Sequence, residues 1–269
     1  MGSKRLIEVR DFETMRVTEG ATTDVDLSVV IPTFNESYGI SKILRSLHSS
    51  LTELQVKFEI ILVDDDSPDN TWEIAAELLE EIPELTVIRR VGAKGLATAV
   101  ICGWQYSNGR LLGVMDGDGQ HPVEVVKDLF TVFSDKNNEV AIASRYLPHG
   151  GIKKWSLSRR LLSRGAQTLG QLLLPGAIGT INDPMSGFFI VKRSIITKTE
   201  LDPVGYKILL EILARSQANK IQEVPYVFLE RSSGKSKVAL SHYSSYPVSY
   251  THLRAHETRG NLVCRLLLE

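Results

Sequence analysis

The chain has 269 residues, of which 43% are hydrophobic, and a formal net charge of -1 at pH 7. This length and composition can bury one large α/β core, and the near-neutral charge gives no general case for nucleic-acid binding. Cys102 and Cys264 lack the spacing of a disulfide framework or a zinc site, and no apolar run approaches the roughly 20 residues that span a bilayer. We therefore expect a reducing compartment and a soluble or peripheral protein without nucleic-acid partners.

The first half of the chain alternates between strand and helix patterns. Residues 1–26 have few apolar positions, so we expect a loose leader outside the fold, before a first β-branched strand at residues 27–31. A helix pattern at 40–54, a strand at 58–63, an acidic loop at 64–69 and a helix at 71–81 follow. Such repetition predicts βαβ units in a parallel sheet. Ser67 and Asp69 are expected to cap the helix at Thr71.

The alternation continues with strands at 85–89, 111–115 and 140–144 and helices at 97–107 and 122–133. Residues 157–174 then predict an amphipathic helix that carries arginines among leucines. This helix either packs on the core with a solvated basic face or meets anionic lipid. Strands at 187–191 and 224–229 and a helix at 208–218 complete one predicted domain at residues 27–240.

Acidic residues follow three of the predicted strands, at Asn35-Glu36, at residues 64–66, and at Asp116 and Asp118. In open parallel sheets ligands bind beyond the carboxyl ends of the strands, so the three loops should face one pocket. Asp116 and Asp118, with glycines between and after them, can hold a hard divalent cation while a bulky anionic ligand approaches the backbone. An ordinary acidic, glycine-rich turn is the alternative interpretation.

Eight short motifs in order resemble the family 2 glycosyltransferases, and within them the subgroup that transfers mannose to dolichyl or polyprenyl phosphate. The resemblance runs over residues 27–240, with three departures: Phe34 stands where Tyr is frequent, Asp66 where Gly is usual, and Gly119 where a larger residue is common. The motifs are PTFNE at 32–36, VDDDSPD at 63–69, DGDGQHP at 116–122, SRY at 144–146, SRGA at 163–166, DPMSGF at 183–188, GYK at 205–207 and RSSGKSK at 231–237.

The resemblance implies a GT-A type nucleotide-diphospho-sugar transferase, with a Rossmann-like, mostly parallel central sheet flanked by helices. It implies direct binding of Mg²⁺ or Mn²⁺ by Asp118 and Gln120, with Asp116 reaching the ribose or the metal, while His121 is interpreted as structural. The implied nucleoside pocket comprises Pro32, Phe34, Glu36, Val63 and Asp65. The resemblance implies that the diphosphate is bound by Lys207, Arg231 and Lys237, and the acceptor phosphate by Arg145, Arg159 and Arg160. The remaining implied substrate-binding residues are Gly117 and Ser163.

The implied reaction is inverting transfer of mannose from GDP-mannose to dolichyl or polyprenyl phosphate at the cytoplasmic face of a membrane. A phosphate acceptor is already anionic at neutral pH, so no general base is needed. Asp118, Arg145, Arg231 and Lys237 are the implied catalytic residues, acting by positioning and charge neutralisation. Two alternatives remain: a glucosyltransferase that uses UDP-glucose, and a non-catalytic subunit that binds a nucleotide sugar.

Residues 241–269 show no strand or helix pattern that continues the domain. Residues 250–260 are similar to translated adapter or vector sequence, so we expect a tail that is partly non-native. The parent protein would then continue into membrane helices, or rely on a separate membrane-anchoring subunit.

Overall fold

The structure is a computed structural model that describes residues 6–10, 17, 24–92, 94–152, 179, 181–202, 207–216 and 218–230. The predicted helix at 157–174 and the tail at 241–269 lie outside these residues. The same holds for five predicted site residues: Arg159, Arg160, Ser163, Arg231 and Lys237.

A central sheet of eight strands organises the described part of the chain. Its strands are β1 (Leu6–Arg10), β2 (Leu27–Thr33), β3 (Phe58–Asp64), β4 (Leu85–Val91), β5 (Leu111–Met115), β6 (Val140–Ser144), β8 (Phe188–Lys192) and β9 (Ile221–Pro225), while β7 (Gly151–Ile152) and β10 (Val227–Phe228) pair separately. The order is β1-β4-β3-β2-β5-β8-β6-β9. Every pairing is parallel except those of β8, which runs antiparallel to β5 and to β6.

Helices cover both faces of this sheet and produce two apolar cores. All seven residues of β2 are buried, as expected for a strand covered on both faces. Val30 belongs to the core beneath α3 (Leu96–Gln105), and Val29 and Ile31 to the core beneath α1 (Ile40–Thr52). The remaining helices are α2 (Thr71–Ala76), α4 (Val125–Thr131), α5 (Arg193–Ile196) and α6 (Ile208–Arg215). The predicted mostly parallel α/β architecture is therefore confirmed.

The expectation that the chain before Leu27 lies outside the fold is wrong for Leu6–Arg10. These residues form β1, which pairs in register with β4 from Leu6 opposite Val87 to Arg10 opposite Val91. As the first strand in the sheet order, β1 has side chains that are exposed or only half-buried, so it lacks the apolar run that marks an inner strand. Val17 is also buried in the core beneath α3.

Several predicted boundaries shift, because local turns end the regular elements early. The helix predicted at 71–81 is α2 followed by a 3₁₀ turn, Glu77–Leu79, and the helix predicted at 122–133 is α4 followed by Val132–Ser134. The strand predicted at 224–229 is divided at Tyr226 between the end of β9 and β10. The expected caps are wrong, because the N-cap of α2 is Asn70. Asp69, one residue earlier, accepts hydrogen bonds from the Thr71 N–H and hydroxyl, and the Ser67 hydroxyl accepts the Asn35 N–H and donates to Asp64.

Candidate functional site

The predicted site residues follow strands whose carboxyl ends open at one edge of the sheet. Asn35 and Glu36 follow β2, Asp65 follows β3, Asp116 follows β5 and Arg145 follows β6. Because these strands are parallel members of one sheet, their following loops lie at the same edge.

The loops after β2 and β3 are tied together beneath the predicted nucleoside pocket. Pro32 and Val63 are register partners and are both buried. The Asp64 carboxylate accepts hydrogen bonds from the Thr33 hydroxyl at 2.9 Å and from the Ser67 hydroxyl at 2.6 Å. The Ser67 hydroxyl in turn accepts the Asn35 N–H, and the Thr71 hydroxyl accepts the Glu36 N–H, each at 2.9 Å. The floor of this region is therefore fixed by buried hydrogen bonds.

Asp65 is used within the protein as a brace for the loop after β4. Its Oδ1 accepts a hydrogen bond from Arg90 Nε at 2.7 Å, and its Oδ2 accepts the Gly95 N–H at 2.7 Å. The Arg90 side chain is 1% exposed and also donates to the Gly95 carbonyl at 3.0 Å. Burial raises the pKa of Asp65, although the charge of Arg90 and the Gly95 N–H oppose that rise.

The same loop places a cation over Phe34, the aromatic residue of the predicted nucleoside pocket. Lys94 Nζ lies 4.8 Å from the centre of the Phe34 ring, within the range of a cation–π contact. Neither Arg90 nor Lys94 was predicted as a site residue. The sequence feature that could have indicated a role for Arg90 is its position near the end of a mostly apolar strand.

Asp116 is held where β5 meets the segment before β8. Its N–H donates to the Gly187 carbonyl at 3.2 Å, and its Oδ2 lies 3.5 Å from His121 Nε2. Its Oδ1 is buried and has no hydrogen-bond partner among the described residues. Burial would raise the pKa of Asp116, but the contact with His121 and the charges of Lys207 and Arg145 outweigh it and lower that pKa.

Asp118 and Gln120 form the outer part of the same turn. Asp118 Oδ1 accepts the Gln120 N–H at 3.1 Å, and Gly119 adopts φ +71°, a left-handed conformation that suits glycine. Gln120 Nε2 donates to the Leu229 carbonyl at 3.0 Å, and the Leu229 N–H donates to the Gln120 carbonyl at 2.8 Å. An amide that donates through nitrogen keeps its side-chain oxygen as an acceptor.

The donor atoms of this turn suit a hard cation. Within the described ranges no group of three or more His, Cys, Asp or Glu side chains is placed to hold a metal ion. The turn offers the carboxylates of Asp116 and Asp118 and the side-chain oxygen of Gln120, and oxygen ligands of this kind are those that Mg²⁺ and Mn²⁺ favour. The buried Oδ1 of Asp116, which lacks a protein partner among the described residues, is the observation that fits such an ion.

Arg145 is balanced by a buried carboxylate. Its Nε and Nη2 each donate to Asp183 at 2.7 Å, and its backbone N–H donates to the same carboxylate at 3.1 Å. The Arg145 and Asp183 side chains are 11% and 1% exposed. Burial would lower the pKa of Arg145, but Asp183 outweighs it and raises that pKa. Glu223 accepts the Asp183 N–H at 2.9 Å and so helps to position Asp183. Neither of these two acids was predicted as a site residue.

Lys207 completes the charged group. Its Nζ donates to the Met185 carbonyl at 3.1 Å, and it lines a cavity of about 10 Å³ together with Asp116, Ser186 and Gly187. Burial lowers the pKa of Lys207, and the nearby carboxylate of Asp116 opposes the change. The structure therefore brings Asp116, Arg145 and Lys207 together, while Gly117 is buried beneath them against Thr33.

None of the helices that the structure describes has the length and apolar character needed to cross a membrane.

Comparison with known proteins identifies relatives over most of the chain. A family model described as glycosyl transferase family 2 matches residues 28–198. A dolichol-phosphate mannosyltransferase of Pyrococcus furiosus is 42% identical over 212 residues, which are 79% of this chain and 59% of the relative. One of Saccharomyces cerevisiae is 32% identical over 225 residues, covering 80% of this chain and 82% of the relative. The chain thus spans 59% of the length of the archaeal relative.

Solved structures share the fold. Glucosyl-3-phosphoglycerate synthase from Mycobacterium tuberculosis, in complex with Mn²⁺, UDP-glucose and phosphoglyceric acid, matches with a TM-score of 0.64 at 17% identity, covering 86% of this chain and 80% of that chain. A complex of the same enzyme with Mn²⁺, UDP and phosphoglyceric acid gives a TM-score of 0.64 at 19% identity, covering 85% and 77%. At these identities the likeness concerns the fold alone, and the predicted GT-A fold class is confirmed.

Proposed function

The chain belongs to glycosyl transferase family 2, and on that premise we propose that it transfers mannose from GDP-mannose to dolichyl or polyprenyl phosphate. The predicted family and the predicted class of glycosyltransferase are confirmed by these relatives; the donor, the acceptor and the inverting course belong to the proposal. One observation carries it: in a relative of dolichol-phosphate mannosyltransferases, an acidic turn meets two cationic side chains, Arg145 and Lys207, and its Asp116 Oδ1 has no hydrogen-bond partner among the described residues.

In the proposed mechanism the chain binds the donor through the acidic turn. Asp116, Asp118 and Gln120 would hold Mg²⁺ or Mn²⁺, whose chemistry is to offset the charge of the leaving diphosphate. Support comes from the oxygen donors of the turn and from the fold neighbours, whose complexes contain Mn²⁺ with UDP-glucose or UDP. Pro32, Phe34, Glu36 and Val63 would enclose the nucleoside, with Asp65 acting on this pocket through the loop it braces.

Cationic side chains would gather the two phosphate groups that must meet. Lys207 lies beside Asp116 and would face the diphosphate. Arg145, which is held by its ion pair with Asp183, would face the acceptor phosphate. Because a phosphate monoester oxygen is already a nucleophile at neutral pH, these residues need only position it and reduce charge repulsion. Arg159, Arg160, Ser163, Arg231 and Lys237 are proposed to complete these sites.

A lipid-linked acceptor requires access to a bilayer, so we place the reaction at the cytoplasmic face of a membrane. The membrane attachment would come from the basic helix predicted at residues 157–174, from further membrane helices of the parent protein, or from an anchoring subunit. Flotation of the purified chain with vesicles that contain anionic lipid, compared with neutral vesicles, tests the first of these routes.

A donor panel tests the proposed reaction. We expect GDP-mannose, dolichyl phosphate in detergent and Mn²⁺ to give dolichyl phosphate mannose, while UDP-glucose gives little or no product. Preferential transfer from UDP-glucose would establish the glucosyltransferase alternative. Binding of GDP in calorimetry with no transfer from any donor would establish the non-catalytic subunit instead.

Asp118→Ala tests the metal assignment within that assay. We expect turnover to fall at least about 100-fold while the melting temperature of the free protein changes little, because Asp118 is half-buried in a turn and belongs to neither apolar core. Asp128→Ala, which removes an exposed acid from α4, is the matched control and should keep full activity. Near-normal turnover by Asp118→Ala would remove Asp118 from the mechanism.

A further inference from the structure

We propose that His121 is a positioning residue that fixes the orientation of the Asp116 carboxylate, so that one carboxylate oxygen is held by the protein and the other is left for the ligand. This inference rests on the proposed role of Asp116 in binding a cation or a ribose. The sequence alone predicts only a structural role for this side chain.

Three aromatic rings hold the His121 side chain, which is 2% exposed. The ring centres of Phe188, Tyr226 and Phe228 lie 5.4, 5.5 and 5.3 Å from that of His121. Tyr226 stacks on the imidazole at an interplanar angle of 27°, and the two phenylalanines meet it edge to face at 72° and 77°. Contacts on several sides, from β8 and from the β9–β10 segment, leave the imidazole little freedom to rotate.

The imidazole is oriented so that one nitrogen faces Asp116. Its Nε2 lies 3.5 Å from Asp116 Oδ2, within ion-pair distance but longer than the roughly 2.7–3.2 Å of an ordinary N–H···O hydrogen bond. Its Nδ1 is buried and has no hydrogen-bond partner among the described residues. A neutral imidazole has one N–H, and the tautomer that carries it on Nε2 directs this N–H at the Asp116 carboxylate. In the described surroundings, Asp116 is thus the polar partner that the buried ring faces.

Gly187 confines the same carboxylate from another side. A Cβ added at Gly187 would lie 2.1 Å from Asp116 Oδ2, 2.5 Å from Cγ and 2.8 Å from Oδ1, so the whole carboxylate occupies space that the side chain of another residue would fill. The Asp116 N–H also donates to the Gly187 carbonyl. Gly187 thus leaves room for both carboxylate oxygens; Oδ2 is the one that faces His121, and Oδ1 is the one that is buried without a partner in the described part of the chain.

A purely packing role for His121 makes a different prediction from a positioning role. Phenylalanine at this position would fill the aromatic cage but could not donate to Asp116. Glutamine would leave part of the cage empty but can carry an amide N–H close to the place of Nε2. Asparagine is shorter, so its amide reaches the place of Nδ1 and not that of Nε2.

The test measures Mn²⁺ affinity by calorimetry in the presence of GDP, together with kcat, KM and the melting temperature, for the full chain. We expect His121→Phe to fold with an unchanged or higher melting temperature and to bind Mn²⁺ about 10–100-fold more weakly, as for other groups that orient metal ligands. His121→Gln should remain within about 3-fold of the wild-type affinity, and kcat should follow the same order with little change in acceptor KM.

Two results overturn the proposal: wild-type Mn²⁺ affinity in His121→Phe, or equal losses in His121→Gln and His121→Phe. If His121→Phe does not fold, His121→Gln is compared with His121→Asn, and equal Mn²⁺ affinities in that pair overturn it. Asp116→Asn distinguishes a failure of this inference from a failure of the proposed function. Weaker Mn²⁺ binding by Asp116→Asn together with wild-type affinity in His121→Phe overturns the positioning role alone. Unchanged Mn²⁺ affinity in Asp116→Asn, or no Mn²⁺ binding by the wild-type chain, removes the metal role of Asp116 and the positioning role with it.

Discussion

Asp116 keeps its position because the residue facing it across the sheet, Gly187, has no side chain. We expect Gly187→Ala to lower kcat/KM about 100-fold or more, since displacing a reacting group by about 1 Å can cost that much. The reason is steric: the new Cβ would lie 2.1 Å from Asp116 Oδ2, closer than any unstrained contact. Steady-state kinetics with the donor and acceptor of the proposed reaction measure the effect.

Gly113→Ala is the matched control for that substitution. Gly113 lies in β5, the strand that leads to Asp116, and a Cβ there would meet Ser28 and Val29 atoms at 3.4 Å, which the neighbours can accommodate. Its activity should stay within a few-fold of the wild type. Equal losses in the two variants would mean that β5 tolerates no added methyl group, and would remove the special status of the Gly187 contact.

Site residues that lie in recognisable motifs can be predicted from the sequence, whereas the residues that form hydrogen bonds with them are harder to predict. Asp116, Asp118 and Arg145 stand out because of their neighbours in the chain. Asp183 lies in a motif too, but its use for Arg145 depends on a contact across 38 residues. Arg90 reaches Asp65 across 25 residues, and only the register of β3 and β4 reveals that the two side chains meet.

Among the contacts between elements, the pair of Arg145 and Asp183 joins the end of β6 to the segment before β8. We expect Asp183→Ala to lower the free energy of unfolding by about 3–5 kcal/mol, because it leaves a buried guanidinium without its partner. Urea unfolding followed by tryptophan fluorescence measures the change. Activity should fall as well, since Asp183 holds the cation proposed to face the acceptor.

An exposed pair of the same chemistry provides the comparison. Arg45 and Glu81 form a bidentate ion pair, in which Arg45 Nε lies 2.7 Å from Glu81 Oε1 and Nη2 lies 2.8 Å from Oε2; about half of each side chain is exposed. Water screens this pair, so Glu81→Ala should lose far less stability than Asp183→Ala. Similar losses from the two substitutions would contradict the importance of burial for the Arg145 pair.

The first strand of the sheet gives a prediction about the start of the chain. Deleting residues 1–10 removes β1 and uncovers one side of β4, which carries Arg90. We expect a loss of roughly 2–4 kcal/mol in unfolding free energy, since a few ladder hydrogen bonds at roughly 0.5–1.5 kcal/mol each disappear. Deletion of residues 1–5 leaves β1 intact and is the control; equal stability of the two truncated proteins would mean that β1 adds nothing.

Inner strands and outer strands differ in how well a sequence reveals them. The predicted strand at 140–144 matches β6 because every residue of that strand is buried and apolar or small. Strand β1 escaped prediction because its residues alternate between exposed and half-buried positions. The antiparallel direction of β8 was not predicted either, since the periodicity within a strand does not show with which neighbours, or in which direction, the strand will pair.

For the molecule as a whole, binding of the proposed donor nucleotide should add stability. At a GDP concentration of about 100 times its Kd, with saturating Mn²⁺, the gain is about 2.7 kcal/mol. For a chain of this size that gain corresponds to a rise in melting temperature of about 5–10 °C. Differential scanning fluorimetry measures it, and Asp118→Ala should lose the part that depends on Mn²⁺. An equal rise with UDP would contradict guanine selectivity.

The place of β8 between β5 and β6 also sets the order in which the sheet can form during synthesis. Strands β2 to β5 find partners among themselves as soon as they leave the ribosome. Among the described strands, however, β6 pairs only with β8 and β9, both of which are made later. At about 5–20 residues per second, β6 therefore waits several seconds for its neighbours. A nascent chain stopped before residue 188 should thus protect β2 and β3 from hydrogen exchange while β6 still exchanges freely.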